Sequence, residues 1–348
     1  MTGSRTSYNF EVPVPGRGCL RLDLTGDEWR NISKPLAFDK KGRDPGPVDR
    51  LDRIFSRSDD PPSLLMFGDS SAIRESRRDR DKRKLVEMLR PLVADLGAVG
   101  GLVGAAFNLR VFYHLLLAAQ QTRRRPAAVV LPINPREFSP QWASHPRYGF
   151  ESELARIRSF IETGVVPPPA ADDPEGKTIG DSFIKYWSIP LDYPLEPRLV
   201  IGDVLKTMLG LAGRTGPERE LRLKYIFCLH YMFRLDKSHF LLDFLRKSLA
   251  LAQESGQAAV VYLTPINYMA GLKFVGPGFS DYWAANRETI LNAAQPWTRT
   301  GRILVRDWST LFDPGYFHHP DIANEHLTEE GRMTLARLIA DGLREVLA

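Results

Sequence analysis

Four short runs dominated by apolar residues, each stopped by small or polar ones, constrain this chain most. They lie at 63–67 (SLLMF), 127–133 (AAVVLPI), 258–263 (AAVVYL) and 302–306 (RILVR). Runs this short and this continuously apolar suit strands covered on both faces, as in a parallel sheet. Between them apolar residues recur at helical spacing: at 85, 86, 88, 89, 92 and 93, and again over 106–122, 151–161 and 218–254. The last segment, 328–347, reads as a helix with Thr328 as N-cap and Glu329 and Glu330 in its first turn. Strands alternating with helices along the whole chain predict an α/β fold, a parallel sheet with helices on both faces.

A length of 348 residues fits two domains or one elaborated α/β domain. With 26% charged and 43% hydrophobic residues, the composition excludes a disordered, collagenous or coiled-coil chain. A core of ordinary size is available, so no metal or disulfide staple is needed. A formal charge of +5 on this length does not by itself imply nucleic acid. Cys19 and Cys228, far apart, form neither a disulfide framework nor a zinc site. The first residues lack the basic, apolar, small-residue order of a secretory signal, so a cytoplasmic location is expected. The segment 96–119 approaches membrane-spanning length, but it carries Asn108, Arg110 and His114. A central Arg alone costs roughly 2.5–3.5 kcal/mol on insertion. A strand end, a glycine-rich turn (Gly97, Gly100, Gly101, Gly104) and a helix account better for it, and no membrane span is expected.

Residues 1–60, rich in Pro, Gly and charge, read as an arm with one strand at 19–24. Residues 150–255 read as a helical insertion or cap with Pro-rich connections at 165–170 and 189–197. Its Phe227, Tyr231, Met232, Phe233, Phe240 and Phe244 are expected in core packing. The charge-dense run 74–84 has both signs, which favours a solvated face over a phosphate-contacting patch.

Ligands in open α/β sheets sit outside the carboxyl ends of the strands. The informative residues are therefore Gly68-Asp69-Ser70, the glycines up to Gly104, Asn134, Asn267, and the loop from His318 to Leu327. A serine, backbone and asparagine donors, and an Asp/His pair converging on one rim suit acyl transfer through a serine nucleophile. Ser70 would attack, His326 would take its proton, and a carboxylate would hold the other imidazole nitrogen. The Ser70 N–H, a glycine N–H near Gly104 and the Asn134 amide would bind the oxyanion. No cofactor is required by such chemistry.

At these residues the chain resembles the SGNH (GDSL-type) hydrolase superfamily, and among its members the bacterial polysaccharide-associated ones. Phe67-Gly68-Asp69-Ser70 after a buried strand is similar to the first block, Gly104 to the glycine block, and Asn134 after the second long strand to the asparagine block. His326-Leu327, followed by Gly331 and a terminal helix, is similar to the last. The extended segment Asn134-Pro135-Arg136-Glu137-Phe138-Ser139-Pro140-Gln141-Trp142 carries the polysaccharide-associated likeness. The resemblance covers 63–348 with 150–255 unmatched. It implies a flavodoxin-like αβα sandwich, built here from 61–149 and 256–348, and an esterase, lipase, or saccharide O-acetyl hydrolase or transferase activity. The substrate implied is a small-molecule or saccharide ester. The superfamily places its acid three residues before the histidine, where this chain has Ala323. Asp321 is the preferred substitute and Glu325 the second choice, with a Ser/His dyad or an inactive site also open.

Each residue has a plainer reading. Ser70 could simply cap a helix, Ser71 could be the nucleophile instead, Asn134 could cap a turn, and Gly104 could serve close packing, with Gly101 competing for its role. Asn267 could line the pocket. Arg110 and Arg136 are expected in salt bridges, with contact to an anionic substrate group as the alternative. His318 and His319 beside Asp321 suggest a metal only weakly, because further ligands at metal spacing are missing. The rival to an enzyme is a non-catalytic accessory or carbohydrate-binding protein on the same sheet. A nucleotide binder is disfavoured because no Gly-x-Gly-x-x-Gly follows the first strand.

Overall fold

In the computed structural model the described residues are 7–14, 18–25, 46–55, 61–122, 125–143, 149–165, 167 and 218–348. The Pro-rich connection expected at 189–197, and most of that at 165–170, lie outside them. Within 1–60 the described parts are an antiparallel hairpin, β1 (Ser7–Val14) with β2 (Gly18–Thr25), and helix α1 (Pro47–Phe55). The strand expected at 19–24 is β2. Helix α1 sends Val48, Leu51 and Phe55 into the main core.

Five strands form one all-parallel sheet: β3 (Leu64–Gly68), β4 (Val99–Val103), β5 (Ala128–Ile133), β6 (Ala258–Leu263) and β7 (Ile303–Asp307). Their spatial order is β4-β3-β5-β6-β7. Counted within the sheet this is 2-1-3-4-5, the flavodoxin-like doubly wound order. Each strand sends alternate side chains to opposite faces. Leu65, Phe67, Val129, Leu131 and Val261 enter one core, and Leu64, Met66, Val130 and Val260 the other. Both faces are dry, which is why the runs read as continuously apolar rather than alternating.

Helices α2 (Leu85–Leu92) and α9 (Glu329–Leu347) close the second face. The first face is covered by α3 (Leu109–Gln120), α4 (Glu151–Thr163), α5 (Glu218–Tyr231), α6 (Phe240–Glu254), α7 (Tyr268–Val275) and α8 (Gly278–Ala294). Helices α4, α5 and α6, from the expected insertion, bury Leu154, Ile157, Phe227 and Leu245 in the same core as the sheet. Of the six aromatic and Met positions singled out there, five pack as expected: Phe227, Tyr231, Met232 and Phe233 are buried and Phe244 packs against the core; Phe240 is instead exposed, at the first turn of α6.

Two local expectations need correction. The glycine-rich turn is in part the edge strand β4. Its glycines are spacers: a Cβ on Gly100 would meet Pro62 at 2.6 Å, and one on Gly101 would meet Val86 at 3.1 Å. The single helix expected over 218–254 is broken at 232–239. There the buried Asn286 side chain donates to the carbonyls of Tyr231 and Phe233 and accepts from the Leu235 N–H, so the orphan groups of the break are satisfied from α8. Helices α7 and α8 had no counterpart in the sequence reading. The segment 96–119 forms β4, a turn and α3, and among the described residues no helix is long and apolar enough to cross a membrane.

The sheet reverses its direction of growth between β3 and β5. Their pairing stops at Met66 with Val130. Pro132, which has no N–H to donate, lies beyond that point. The carboxyl ends of these two strands, bearing Ser70 and Asn134, therefore border the crevice where ligands of such folds bind.

Candidate active site

Strand β3 ends at Gly68, and Asp69 caps a single helical turn, Ser70–Ile73, by accepting the Ser71 N–H at 2.7 Å. A short polar side chain at this position is a good N-cap, and the turn lifts Ser70 onto the rim. The other oxygen of Asp69 accepts the Asn134 amide at 2.5 Å, tying the end of β3 to the end of β5 across the gap. Asn134 in turn caps the 3-10 turn that follows β5 by accepting the Arg136 N–H.

Across this rim stands His326. Its Nε2 lies 3.2 Å from the Ser70 hydroxyl, joining residues 256 positions apart. It faces Ser70 and not Ser71, whose side chain is buried. The loop carrying His326 is fastened from several sides. The His318 N–H donates to the His326 carbonyl, Phe317 bridges Leu327, and Thr328 caps α9 as the sequence suggests. Asn267, fully buried, donates to the carbonyls of Pro320 and Ile322; it braces the loop instead of lining the crevice. Asn324 donates to those of His319 and Ile322 and accepts the His326 N–H.

Neither expected acid supports the ring. Asp321 stands at the surface between Arg219 and Lys273, 3.3 Å from each. Those two cations and its partial exposure draw it outward, so the acid preferred from sequence is not brought to His326. Glu325 points the other way along an extended segment, into the interior. There it pairs with Arg136 at 2.7 Å and accepts the Tyr231 hydroxyl. Ala323, at the position the superfamily gives its acid, is buried and carries no charge. Among the described residues no carboxylate hydrogen-bonds the second ring nitrogen of His326. Burial, and then the positive charges of Arg136 and Arg74, push the ring down to about 3. It is therefore a neutral imidazole throughout the physiological range.

Gly104 serves the backbone. Its N–H donates to the Gly68 carbonyl at 3.0 Å, extending the β3–β4 ladder by one bond, and a Cβ there would meet the Phe107 ring at 2.4 Å. That donor is spent, so the glycine expected in the oxyanion site is a packing glycine. Gly101 lies within β4, away from the rim. The Ser70 N–H has no partner among the described residues, and Asn134 keeps one amide hydrogen beyond that given to Asp69.

Sequence reasoning missed the buried polar frame beneath these groups. The segment after Asn134 is an interior one: Arg136, Glu137, Phe138 and Ser139 are all buried. Arg136 also lies 4.5 Å over the Trp142 ring. Glu137 caps α3 by accepting the Leu109 N–H, and burial raises its carboxyl well above the usual range. Arg110, as expected, is in a salt bridge, with Glu151. Behind His326, His318 lies with its ring centroid 6.2 Å away and its Nε2 3.7 Å from Asp79. Asp79 is held by the fully buried Arg332, which also donates to the carbonyls of Asp81, Arg83 and Leu327. The extended segment at 134–142 was a visible signal for part of this frame. Arg332 gave none. Among the described residues, no group of three or more His, Cys, Asp or Glu could hold a metal ion.

Compared with known proteins, the chain matches no family model and no curated protein. It is similar to the crystal structure of a proposed acylhydrolase from Bacteroides fragilis, with 10% identity, a TM-score of 0.35, and coverage of 82% of this chain and 88% of that one. At that distance the functional reading rests on the side chains alone.

Proposed function

We propose that the protein is a serine-dependent acyl ester hydrolase or O-acyltransferase of the SGNH type, working through a Ser70–His326 dyad. The observation that carries this reading is the 3.2 Å approach of the His326 Nε2 to the Ser70 hydroxyl at the switch point of the sheet. Ser70 Oγ attacks the ester carbonyl and passes its proton to Nε2. The developing oxyanion is met by the Ser70 N–H and the remaining Asn134 amide hydrogen. The bond to the leaving alcohol then breaks, and His326 returns the proton to that oxygen. Water or an acceptor hydroxyl, deprotonated by the same ring, resolves the acyl-enzyme. An acyl group on a saccharide is the proposed substrate, from the resemblance of residues 134–142. All groups named are side chains or backbone of this chain.

One observation favours a second reading, a non-catalytic accessory protein: among the described residues no carboxylate would partner the imidazolium formed at His326. Turnover of an aryl acetate decides between them. The dyad reading expects acetate release that Ser70→Ala abolishes, and equal release by both proteins contradicts it.

A further inference from the structure

The run 74–84 links the Ser70 turn to α2, and in the fold its two signs of charge are sorted. Asp79 turns inward to Arg332, with 2.8 Å between Oδ2 and Nη1, and Asp81 is chelated by Arg83 at 2.7 Å. Arg332 donates to the carbonyls of Asp81 and Arg83, and the Asp81 N–H donates to Glu329 at 2.6 Å. The run is therefore pinned to the start of α9, directly after His326. Arg74, Arg77, Arg78 and Arg80 face outward, exposed, and none of their guanidinium groups has an ion-pair or hydrogen-bond partner among the described residues. Glu75 is the one exposed acid in the run.

Arg74 closes the single turn that begins at Ser70, its N–H donating to the Ser70 carbonyl at 3.0 Å, so this end of the ridge adjoins the reacting groups. Against the loop that carries His326, Arg219 of α5 and Lys273 of α7 share the carboxylate of Asp321. Protein surfaces ordinarily intersperse the two signs. A rim of one sign beside a crevice instead concentrates ligands of the other sign.

Resting on the serine-ester reading above, we propose that the substrate carries its own negative charge, as carboxylate or phosphate groups on a glycan, and seats it against Arg74, Arg77, Arg78 and Arg80. The site would then select anionic esters over neutral ones of the same length.

The test is calorimetric titration of the Ser70→Ala protein with three oligomers of matched length: oligogalacturonate, a glycerol-phosphate oligomer and a neutral xylo-oligosaccharide. The expected result is binding about tenfold tighter for at least one anionic oligomer, weakening with added salt. The carboxylate and phosphate arms show which group is read. Adding Arg74→Gln, or Arg77→Gln with Arg78→Gln and Arg80→Gln, should erase most of that preference; these side chains are exposed, so folding is little disturbed. Equal binding of charged and neutral oligomers overturns the proposal, as does a preference that survives both sets of substitutions. Tighter binding of a duplex DNA 20-mer than of either glycan probe also overturns it, in favour of a nucleic-acid surface. Fluorophosphonate labelling of the parent protein is followed in parallel. Its failure removes the serine mechanism, whereas labelling without charge preference removes only this inference.

Discussion

The two halves of the candidate site are held in different ways. The nucleophile half is local: Asp69 caps the turn that presents Ser70, and Asn134 reaches Asp69 from the neighbouring strand end. The base half is assembled from afar. His326 sits on a loop fastened by Asn267, by Asn324 and by the β-bridge of Phe317 with Leu327. Beneath it the ion pair of Glu325 with Arg136 joins it to the 3-10 turn after β5, and Tyr231 joins it to α5. Short-range geometry sets the serine, and long-range burial sets the histidine. Burial also supplies the low basicity of the ring, and among the described residues no acid stands against it to raise it.

Four substitutions sharpen this contrast, taken from the largest expected effect downward. Arg332→Met removes the buried cation that pins the 74–84 run to α9 and leaves Asp79 uncompensated. Losing one partner of a buried pair costs about 3–5 kcal/mol, to be read as a shift in the urea midpoint. Asn134→Ala strikes the nucleophile half, where loss of an oxyanion donor costs about 2.7–4 kcal/mol of barrier, or roughly a hundredfold or more in kcat. An unchanged kcat would remove Asn134 from the oxyanion site. Tyr231→Phe leaves the Glu325 carboxylate short of a donor, at about 1–3 kcal/mol of stability. Since the lesion lies beneath His326, kcat should fall while KM with a small aryl ester holds. Asp321→Asn comes last. Its partners are exposed cations worth at most about 1 kcal/mol each, so kcat should change less than about twofold. A hundredfold loss there would restore Asp321 as the acid and break the account of the base half.

The same contrast explains what the sequence made legible. Continuous apolar runs identified β3, β5, β6 and β7, because a strand dry on both faces needs nothing else. Gly-Asp-Ser after β3 and Asn134 after β5 stood where the fold rule places ligand contacts. The edge strand β4 reads in the sequence only as a strand end before a glycine-rich turn, because its glycines have low strand propensity, although Pro62 and Val86 press on them. The break between α5 and α6 was hidden because the residue that satisfies it, Asn286, lies on a helix far along the chain. Asp321 is the preferred acid on the expectation that a bulge or short turn brings it under His326. Residues five apart on an irregular loop have no fixed relative direction, and the pull of Arg219 and Lys273 decided it. The run 74–84 showed mixed charge but not which sign faces water, since that depends on Arg332 in the last helix.

The central claim is a serine activated by an unaided, buried and neutral imidazole. The direct measurement is the rate of covalent labelling of Ser70 by a fluorophosphonate, followed by intact mass from about pH 8 down to about pH 4. The sign follows from the ring's depressed value: His326 keeps its free nitrogen until the pH nears about 3, so the rate should stay flat across that range. An absence of adduct, or a rate that halves near the ordinary histidine value of 6.5, would contradict it.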